Sequence, residues 1–160
     1  MTQRQEDATA ARLKPHFAAG NGIDESDDET AARRIRADGV DILVDLSGHT
    51  THNRLPMFAW KPAPVQVTWL GYFATTGVSA IDYILGDQHV LPTHEASHFV
   101  ERAWRLPDSY LCFTPPQLQV PAGPLPMSAN GAVTFGCFNH LVKLNDAVVA
   151  LWARVLRAVP

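Results

Sequence analysis

The apolar positions of the chain alternate between a helical and a strand-like period, starting at residue 27. Residues 27–39 open with three acidic side chains and then place Ala31, Ala32 and Ile35 at helical spacing, which predicts a helix that ends at Gly39. The following run, Val40–Leu46, is almost continuously apolar. Such a run is typical of a strand that is covered on both faces, as in a parallel sheet.

The same alternation continues through the next forty residues. A short helix is predicted over residues 54–60, because Pro62 and Pro64 must end it. Apolar and polar side chains then alternate over residues 65–69, and a further strand is predicted over residues 80–85. Helices and strands joined by short connections predict an α/β fold with a parallel sheet and right-handed crossovers.

A second change of period lies near the end of the printed sequence. Alternation over residues 133–137 predicts a strand, and apolar residues at three- and four-residue spacing predict an amphipathic helix over residues 145–159. Asn145 is a good N-cap for this helix. The polar loop between the two elements, residues 138–144, therefore follows the carboxyl end of a strand.

Composition limits the classes of function. An apolar content of 46% in 160 residues is enough for a real core, and a net charge of -3 with a pI near 6.1 argues against nucleic-acid binding. We find no apolar run of membrane-spanning length and no signal peptide. Two cysteines are too few for a disulfide framework, so a cytoplasmic location without membrane contact is expected.

Three loops carry candidate ligand-binding residues, because ligands of open α/β sheets bind at the carboxyl ends of the strands. Each loop also has a plainer interpretation: a helix cap for the histidine of the first loop, a tight turn for the glycine of the second, and a solvated lysine in the third. The candidates are His49 after the first predicted strand, Leu70, Gly71, Thr75 and Thr76 after the second, and Asn139, His140 and Lys143 after the strand predicted over residues 133–137.

A five-residue match to the zinc-protease pattern H-E-x-x-H lies at His94-Glu95-Ala96-Ser97-His98. On an α-helix, His94 and His98 would share a face and could bind zinc, with Glu95 as the base. Chance matches to so short a pattern are frequent, and no third protein ligand follows at the expected spacing. A short surface helix between two strands is the favoured interpretation, and no metal site is predicted.

Longer blocks of sequence resemble a known family. Phe138-Asn139-His140-Leu141-Val142-Lys143-Leu144, with residues 151–160 after it, looks like the start of the second catalytic lobe of the protein O-GlcNAc transferases. Residues 41–50, 62–72 and 75–84 match further blocks of that family in the expected order. The resemblance covers roughly residues 27–160.

The resemblance implies an architecture and an activity. Members of the family have two Rossmann-like lobes of the GT-B type and transfer N-acetylglucosamine from UDP-GlcNAc to Ser or Thr hydroxyls of proteins, with inversion and without a metal or other cofactor. The expected organisation is a poorly structured lead-in (residues 1–26), the end of the first lobe (27–114), a Pro-rich linker (115–131) and the start of the second, UDP-binding lobe (132–160). Because two family segments are missing, a fragment that is inactive alone is expected, with helical repeats elsewhere in the parent chain.

The resemblance also implies roles for individual residues. Lys143 matches the family lysine that binds the diphosphate and stabilises the charge that develops on the leaving UDP, while Leu70 and Gly71 match a pair beside the sugar. His140 stands where many relatives have Gln or Asn near the nucleotide, and Lys61 stands where relatives often carry Arg.

Three alternatives stay open at this point. A non-catalytic nucleotide- or protein-binding module of the same α/β class is the main one, and the zinc hydrolase is a distant one. The donor sugar is also open, because relatives in plants use fucose.

Overall fold

The computed structural model describes residues 7–115 and 120–159. They fall into two compact units, one up to Thr114 and one from Pro115 onward. Each unit is described by itself below.

A four-stranded parallel sheet forms the centre of the first unit. Its strands are β1 (Ile42–Asp45), β2 (Val65–Thr68), β3 (Tyr83–Gly86) and β4 (Arg102–Arg105), in the order β1-β2-β3-β4. The predicted α/β class with a parallel sheet is therefore confirmed. All four strands end at one border of the sheet, which we call the carboxyl edge, and the loops that follow β1 and β2 meet there.

Two helices build the core of this unit against the sheet. Helix α2 (Asp28–Ala37) begins at Asp27, whose side chain accepts the N–H of Thr30 at 2.6 Å, as an N-cap does. Helix α3 (Leu55–Phe58) is short because prolines follow it. The cluster buried between these elements is wholly apolar and consists of Ala31, Ala32, Leu55, Met57, Phe58 and Ile81.

Strand β1 differs from its prediction. Both faces were expected to be covered, yet Ile42 and Val44 are exposed by 61% and 43%. Helices cover only one face of this strand in the described chain, where Leu43 packs against the core cluster. β1 also lies at the border of the sheet, so it has a hydrogen-bonded neighbour on one side only.

The remaining elements of the first unit are short. Helix α1 (Ala8–Leu13) and a 3₁₀ turn at Lys14–His16 precede α2, and neither contains a buried residue. A second 3₁₀ helix, Thr93–His98, links β3 to β4.

The second unit holds little buried surface. It contains α4 (Pro126–Asn130), a 3₁₀ turn at Leu141–Lys143 and α5 (Asp146–Ala158). Asn145 caps α5 by accepting the N–H of Val148 at 3.0 Å, as predicted from the sequence. None of the residues described in this unit is buried.

The strand predicted over residues 133–137 is wrong for this structure. These residues form no ladder, since no strand lies beside them among the described residues. Alternation records which face a segment buries, but a strand also needs a neighbour to pair its N–H and C=O groups. Within the described part of the chain, no helix is both long and apolar enough to cross a membrane.

Candidate functional site

The loops after β1 and β2 touch through two glycines at the carboxyl edge. Gly48 has a φ of +53°, and a Cβ there would lie 2.8 Å from the backbone oxygen of Tyr72. A Cβ on Gly71 would lie 2.4 Å from the backbone carbon of Ser47. Only glycine permits so close an approach of two backbones, which explains why both predicted loops carry one.

A buried carboxylate holds the first loop in place. Asp45 ends β1 with 5% of its surface exposed and accepts the N–H groups of Ser47 and Gly48, each at 3.0 Å. It also accepts the hydroxyl of Thr68, at the end of β2, at 2.9 Å. A buried charge is tolerated only when it is paired or well hydrogen-bonded, and Asp45 meets that condition through neutral donors.

His49 is exposed and reaches across to the second loop. Its Nε2 lies 2.9 Å from the backbone oxygen of Thr75, and its ring meets Tyr72 edge to face at 6.5 Å between centroids. Because a carbonyl oxygen can only accept, Nε2 must carry the hydrogen. In the neutral ring Nδ1 is then an acceptor. The structure thus brings together two predicted site residues that are 26 positions apart in the sequence.

The side chains of Thr75 and Thr76 share one partner, Glu101, which sequence reasoning missed. Both hydroxyls donate to the carboxylate of Glu101, the Thr75 bond being 2.9 Å long, and the Thr76 N–H donates to the same group at 2.7 Å. Thr76 and Glu101 are both buried, with 6% and 3% of their surfaces exposed. The two threonine hydroxyls therefore serve the loop itself.

Leu70 precedes Gly71 in the second loop and has an unusual backbone. Its φ is +58°, although it is not a glycine, and its side chain is 39% exposed. Positive φ values in larger residues are strained and tend to occur where the backbone serves a site. Leu70 and Gly71 therefore lie side by side at the carboxyl edge, where the sequence places a candidate site.

The third group of predicted residues lies in the second unit and is open to solvent. Lys143 Nζ lies 3.4 Å from Asn139 Oδ1, which is long for a hydrogen bond. His140 accepts the Val142 N–H through Nδ1 at 3.2 Å. Asn139, His140 and Lys143 are thus neighbours in one loop before α5, and the lysine has no ion pair among the described contacts.

The H-E-x-x-H segment has the wrong geometry for zinc. Residues Thr93–His98 form a 3₁₀ helix, in which residues three apart share a face, so His94 and His98, four apart, point in different directions. Both histidines are exposed. In the part of the chain that the structure describes, no three His, Cys, Asp or Glu side chains are grouped so as to hold a metal ion.

Lys61 has a structural partner. Its ammonium lies 2.5 Å from the carboxylate of Asp82 and donates to the Ala80 oxygen at 2.9 Å. Burial alone would raise the pKa of Asp82, but Lys61 and the Gln66 N–H outweigh it and lower that pKa. The lysine therefore ties the end of α3 to the start of β3, where it takes no part in the three candidate loops.

Two clefts open among the described residues. One of about 510 Å³ opens next to β1, between the strand and its helices, with walls that include Leu43, Met57 and Arg54. The other, of about 360 Å³, lies in the second unit between residues 135–137 and α5. Neither is lined by His49, Gly71 or Lys143.

Asp45 and Glu101 are the site residues that sequence reasoning missed. For Asp45 a signal was available, since it is a carboxylate inside an otherwise apolar run, and such a charge must find donors. Glu101 stands between exposed neighbours, Val100 and Arg102, and nothing in its local pattern indicates burial.

A parallel sheet with glycine-containing loops at its carboxyl edge defines the class: an α/β ligand-binding fold of Rossmann type. The family model described as "Glycosyl transferase family 41" matches residues 3–118. The chain therefore belongs to glycosyl transferase family 41, the family of the O-GlcNAc transferases that its sequence resembles.

Individual relatives agree with this assignment. The chain is 49% identical over 139 residues to the probable UDP-N-acetylglucosamine--peptide N-acetylglucosaminyltransferase SPINDLY of Petunia hybrida, covering 87% of this chain and 15% of the relative. It is 31% identical over 140 residues to the Arabidopsis thaliana protein SEC of the same description, covering 82% and 14%.

A solved structure is also similar. A lysine-to-methionine mutant of Thermobaculum terrenum O-GlcNAc transferase matches with a TM-score of 0.83 and 41% identity, over 98% of this chain and 29% of that chain. Among the curated relatives, the chain spans about 15% of the length of the SPINDLY proteins from Petunia hybrida and Solanum lycopersicum.

Proposed function

We propose that this chain is the part of an inverting glycosyltransferase that contacts a nucleotide sugar, and that the whole enzyme moves N-acetylglucosamine from UDP-GlcNAc to Ser or Thr hydroxyls of proteins. The observation that carries the proposal is the family 41 match together with the loops at the carboxyl edge. An acceptor protein is the second partner. A cytoplasmic location stays a prediction from cysteine usage.

The chemistry follows from the groups in the loops. The oxygen of the acceptor hydroxyl forms a bond to the anomeric carbon while the bond from that carbon to the diphosphate breaks, and the hydroxyl proton passes to a base. Negative charge develops on the leaving diphosphate oxygen. Lys143, a mobile cation without an ion pair among the described contacts, is suited to offset that charge.

The loops of the first unit carry groups that are suited to contact a sugar. Gly71 lets the second loop pack against the backbone of Ser47, which sets Leu70 and Gly71 at the carboxyl edge, where the resemblance puts the sugar. His49 is exposed beside them with one ring nitrogen already engaged by Thr75. In its neutral form the other nitrogen, Nδ1, can accept a hydrogen bond from a hydroxyl, whereas phosphate oxygens offer it no hydrogen.

The test uses the full-length protein that contains this segment. UDP-GlcNAc with a labelled sugar is offered together with a mixed set of Ser- and Thr-containing peptides, and transfer is measured by mass spectrometry. A nucleotide-activated fucose is offered in parallel, because the resemblance leaves the donor sugar open. We expect addition of N-acetylglucosamine with inversion.

Each other result has a defined meaning. Transfer of fucose alone would support the proposed glycosyltransferase activity but would contradict UDP-GlcNAc as the donor. Binding of UDP without transfer to any peptide would favour the non-catalytic module. The chain of 160 residues, assayed alone, is expected to give no detectable transfer, since its described second unit buries no residue.

A further inference from the structure

The strongest unexplained feature of the first unit is the buried carboxylate of Glu101. It lies just before β4 and is 3% exposed, yet it faces no cation among its described contacts. Its hydrogen bonds come from one backbone N–H and two hydroxyls, all of them in residues 75–76. Because all of these hydrogen bonds go to the loop after β2, the buried carboxylate must act through that loop.

The hydroxyl of Thr75 has no capacity left for a ligand. It donates to Glu101 and accepts the N–H groups of Val100 at 3.1 Å and Gly77 at 3.3 Å. A hydroxyl has one hydrogen and two lone pairs, so all three are used. The Thr76 hydroxyl likewise donates to Glu101 and accepts the Val78 N–H at 3.2 Å. Glu101 and the two threonines therefore form a clamp, from which the backbone oxygen of Thr75 reaches the first loop.

That oxygen is the one that holds His49. It accepts the Nε2 hydrogen of His49 at 2.9 Å, so the position of the Thr75 peptide determines where the ring lies. The other described contact of the ring is the edge-to-face meeting with Tyr72, which is weaker and less directional. An exposed ring on a rotatable side chain is thus fixed by a contact that depends on the clamp.

We propose that Glu101 is a positioning residue for the reaction: through Thr75 it holds His49 with Nδ1 free to accept a hydrogen bond from a hydroxyl of the sugar donor. This inference rests on the proposed function for its last step only. The steps from Glu101 to Thr75 and from Thr75 to His49 concern the chain itself, and they are testable without activity.

The first arm of the test is spectroscopic and uses the chain of 160 residues. Long-range ¹H–¹⁵N spectra of the histidine rings are recorded for the unmodified chain, for Glu101→Ala and for Glu95→Ala. Glu95 is the matched control, because it is an exposed glutamate of the same connection whose side chain has one described contact, with His94 at 3.8 Å. We expect a bonded Nε2–H signal from His49 in the unmodified chain and the control. Its loss is expected in Glu101→Ala.

A second pair of variants separates the clamp from general loss of folding. Thr75→Val keeps the shape and the backbone oxygen of residue 75 but removes the hydroxyl, whereas Thr75→Ser keeps the hydroxyl. Thr75→Ser should retain the His49 signal and Thr75→Val should weaken it. If a folded Glu101→Ala or Thr75→Val chain kept the signal unchanged, the clamp would not position His49 and the inference would be wrong.

The second arm uses transfer by the full-length protein and a double-mutant cycle. Displacing a contact group by a fraction of an ångström to one ångström costs up to about a hundredfold in rate. We expect His49→Ala and Glu101→Ala each to lower kcat/KM by about tenfold, and Glu101→Gln, which can still accept the Thr76 bonds, by less. The double variant should be no slower than His49→Ala to within about twofold, since both changes remove the same contact.

The outcomes distinguish the positioning role of Glu101 from the proposed function. Multiplication of the two effects in the double variant would mean that Glu101 acts independently of His49, which overturns the inference. No transfer by the unmodified protein would overturn the proposed function, while the spectroscopic arm would still test the clamp. If His49→Ala leaves transfer unchanged, the positioning role in the reaction is wrong whatever the spectra show.

Discussion

Buried carboxylates hold the loops of the first unit, whereas the described contacts of the second-unit loop that carries Lys143 stay within that loop. Asp45 accepts two hydrogen bonds from the loop after β1 and one from Thr68 at the end of β2, and Glu101 accepts three from the loop after β2. In the second unit, Lys143 has a long contact to Asn139 four residues away. The first unit therefore holds a preformed pair of loops, and the second unit holds an open one.

The difference agrees with the groups that each unit is proposed to contact. Hydroxyls and amides of a sugar are recognised by groups in fixed positions, because neutral hydrogen bonds depend strongly on direction. A diphosphate is recognised largely by charge, for which a mobile ammonium is sufficient.

Removing the lysine should have the largest effect on the reaction. In the full-length protein, Lys143→Ala should lower kcat by about a hundredfold to a thousandfold, roughly 3–4 kcal/mol, with a smaller rise in KM for the nucleotide sugar, because the charge it offsets grows in the transition state. Lys143→Arg should recover part of the rate. Steady-state kinetics measures both, with circular dichroism to confirm folding.

The control for this prediction is Arg157→Ala, which removes an exposed cation from the last turn of α5. It should leave kcat within about threefold, under ~0.7 kcal/mol. A folded Lys143→Ala protein that also kept its kcat within that margin would show that the lysine has no such role.

Core substitutions should separate the two units by stability. Phe58 is 4% exposed within the core cluster, so Phe58→Ala should cost about 3 kcal/mol or more in the free energy of unfolding of the first unit. Leu156 is 55% exposed, so Leu156→Ala should change the stability of the chain by less than about 0.5 kcal/mol. Urea titration followed by residue-resolved NMR measures each unit separately. Equal costs would contradict the difference in burial.

A methyl group at the glycine contact should push the two first-unit loops apart. Gly71→Ala places a carbon 2.4 Å from the backbone of Ser47, which cannot yield as a side chain would, and overpacking of this kind costs about 1–3 kcal/mol. Gly20→Ala is the matched control, since no atom lies within 4 Å of its Cβ position. Thermal unfolding should give a clearly lower Tm for Gly71→Ala alone, and the same Tm for both variants would exclude the close approach.

Acid should weaken the first unit through Asp87. The N–H of Tyr110, followed by that of Val90, holds the pKa of this carboxylate below its ordinary value. Because the pKa is lowered in the folded state, the stabilisation is complete above about pH 4 and is lost as the pH falls through the folded-state value.

The measurement is the urea midpoint of the first unit between pH 5 and pH 3. Asp87→Asn should lower the midpoint at pH 5 and flatten its fall toward pH 3, while the exposed Asp108→Asn should follow the unmodified chain. If the urea midpoint fell as steeply with pH in Asp87→Asn as in the unmodified chain, groups other than Asp87 would cause the acid sensitivity.

Local rules of sequence predicted α2, α3, α5 and three of the four strands, but not α1, α4 or β4. The acidic start and Gly39 bounded α2, and apolar spacing with Asn145 bounded α5, because capping and periodicity are properties of a short segment. The strand over residues 133–137 failed, since pairing requires a neighbour that the segment itself cannot supply.

The position of the candidate loops was predicted from the sequence, but the buried carboxylates that hold them were not. The predicted strand ends located the loops of His49 and Gly71, and the general rule for α/β sheets made these loops candidates for ligand binding. The clamp was not predictable, because Glu101 lies 25 residues from Thr76 and carries a charge that is ordinarily solvated. Burial of such a group is decided by the whole fold.

Residue-resolved amide hydrogen exchange in the chain of 160 residues tests the central comparison most directly. The amides of Gly48 and Thr76 donate to Asp45 and Glu101, and we predict that they exchange at least about tenfold more slowly than the amide of Lys143, which donates to the backbone oxygen of His140 in an exposed turn. Exchange of all three amides at similar rates would contradict the account of a preformed first half and an open second half.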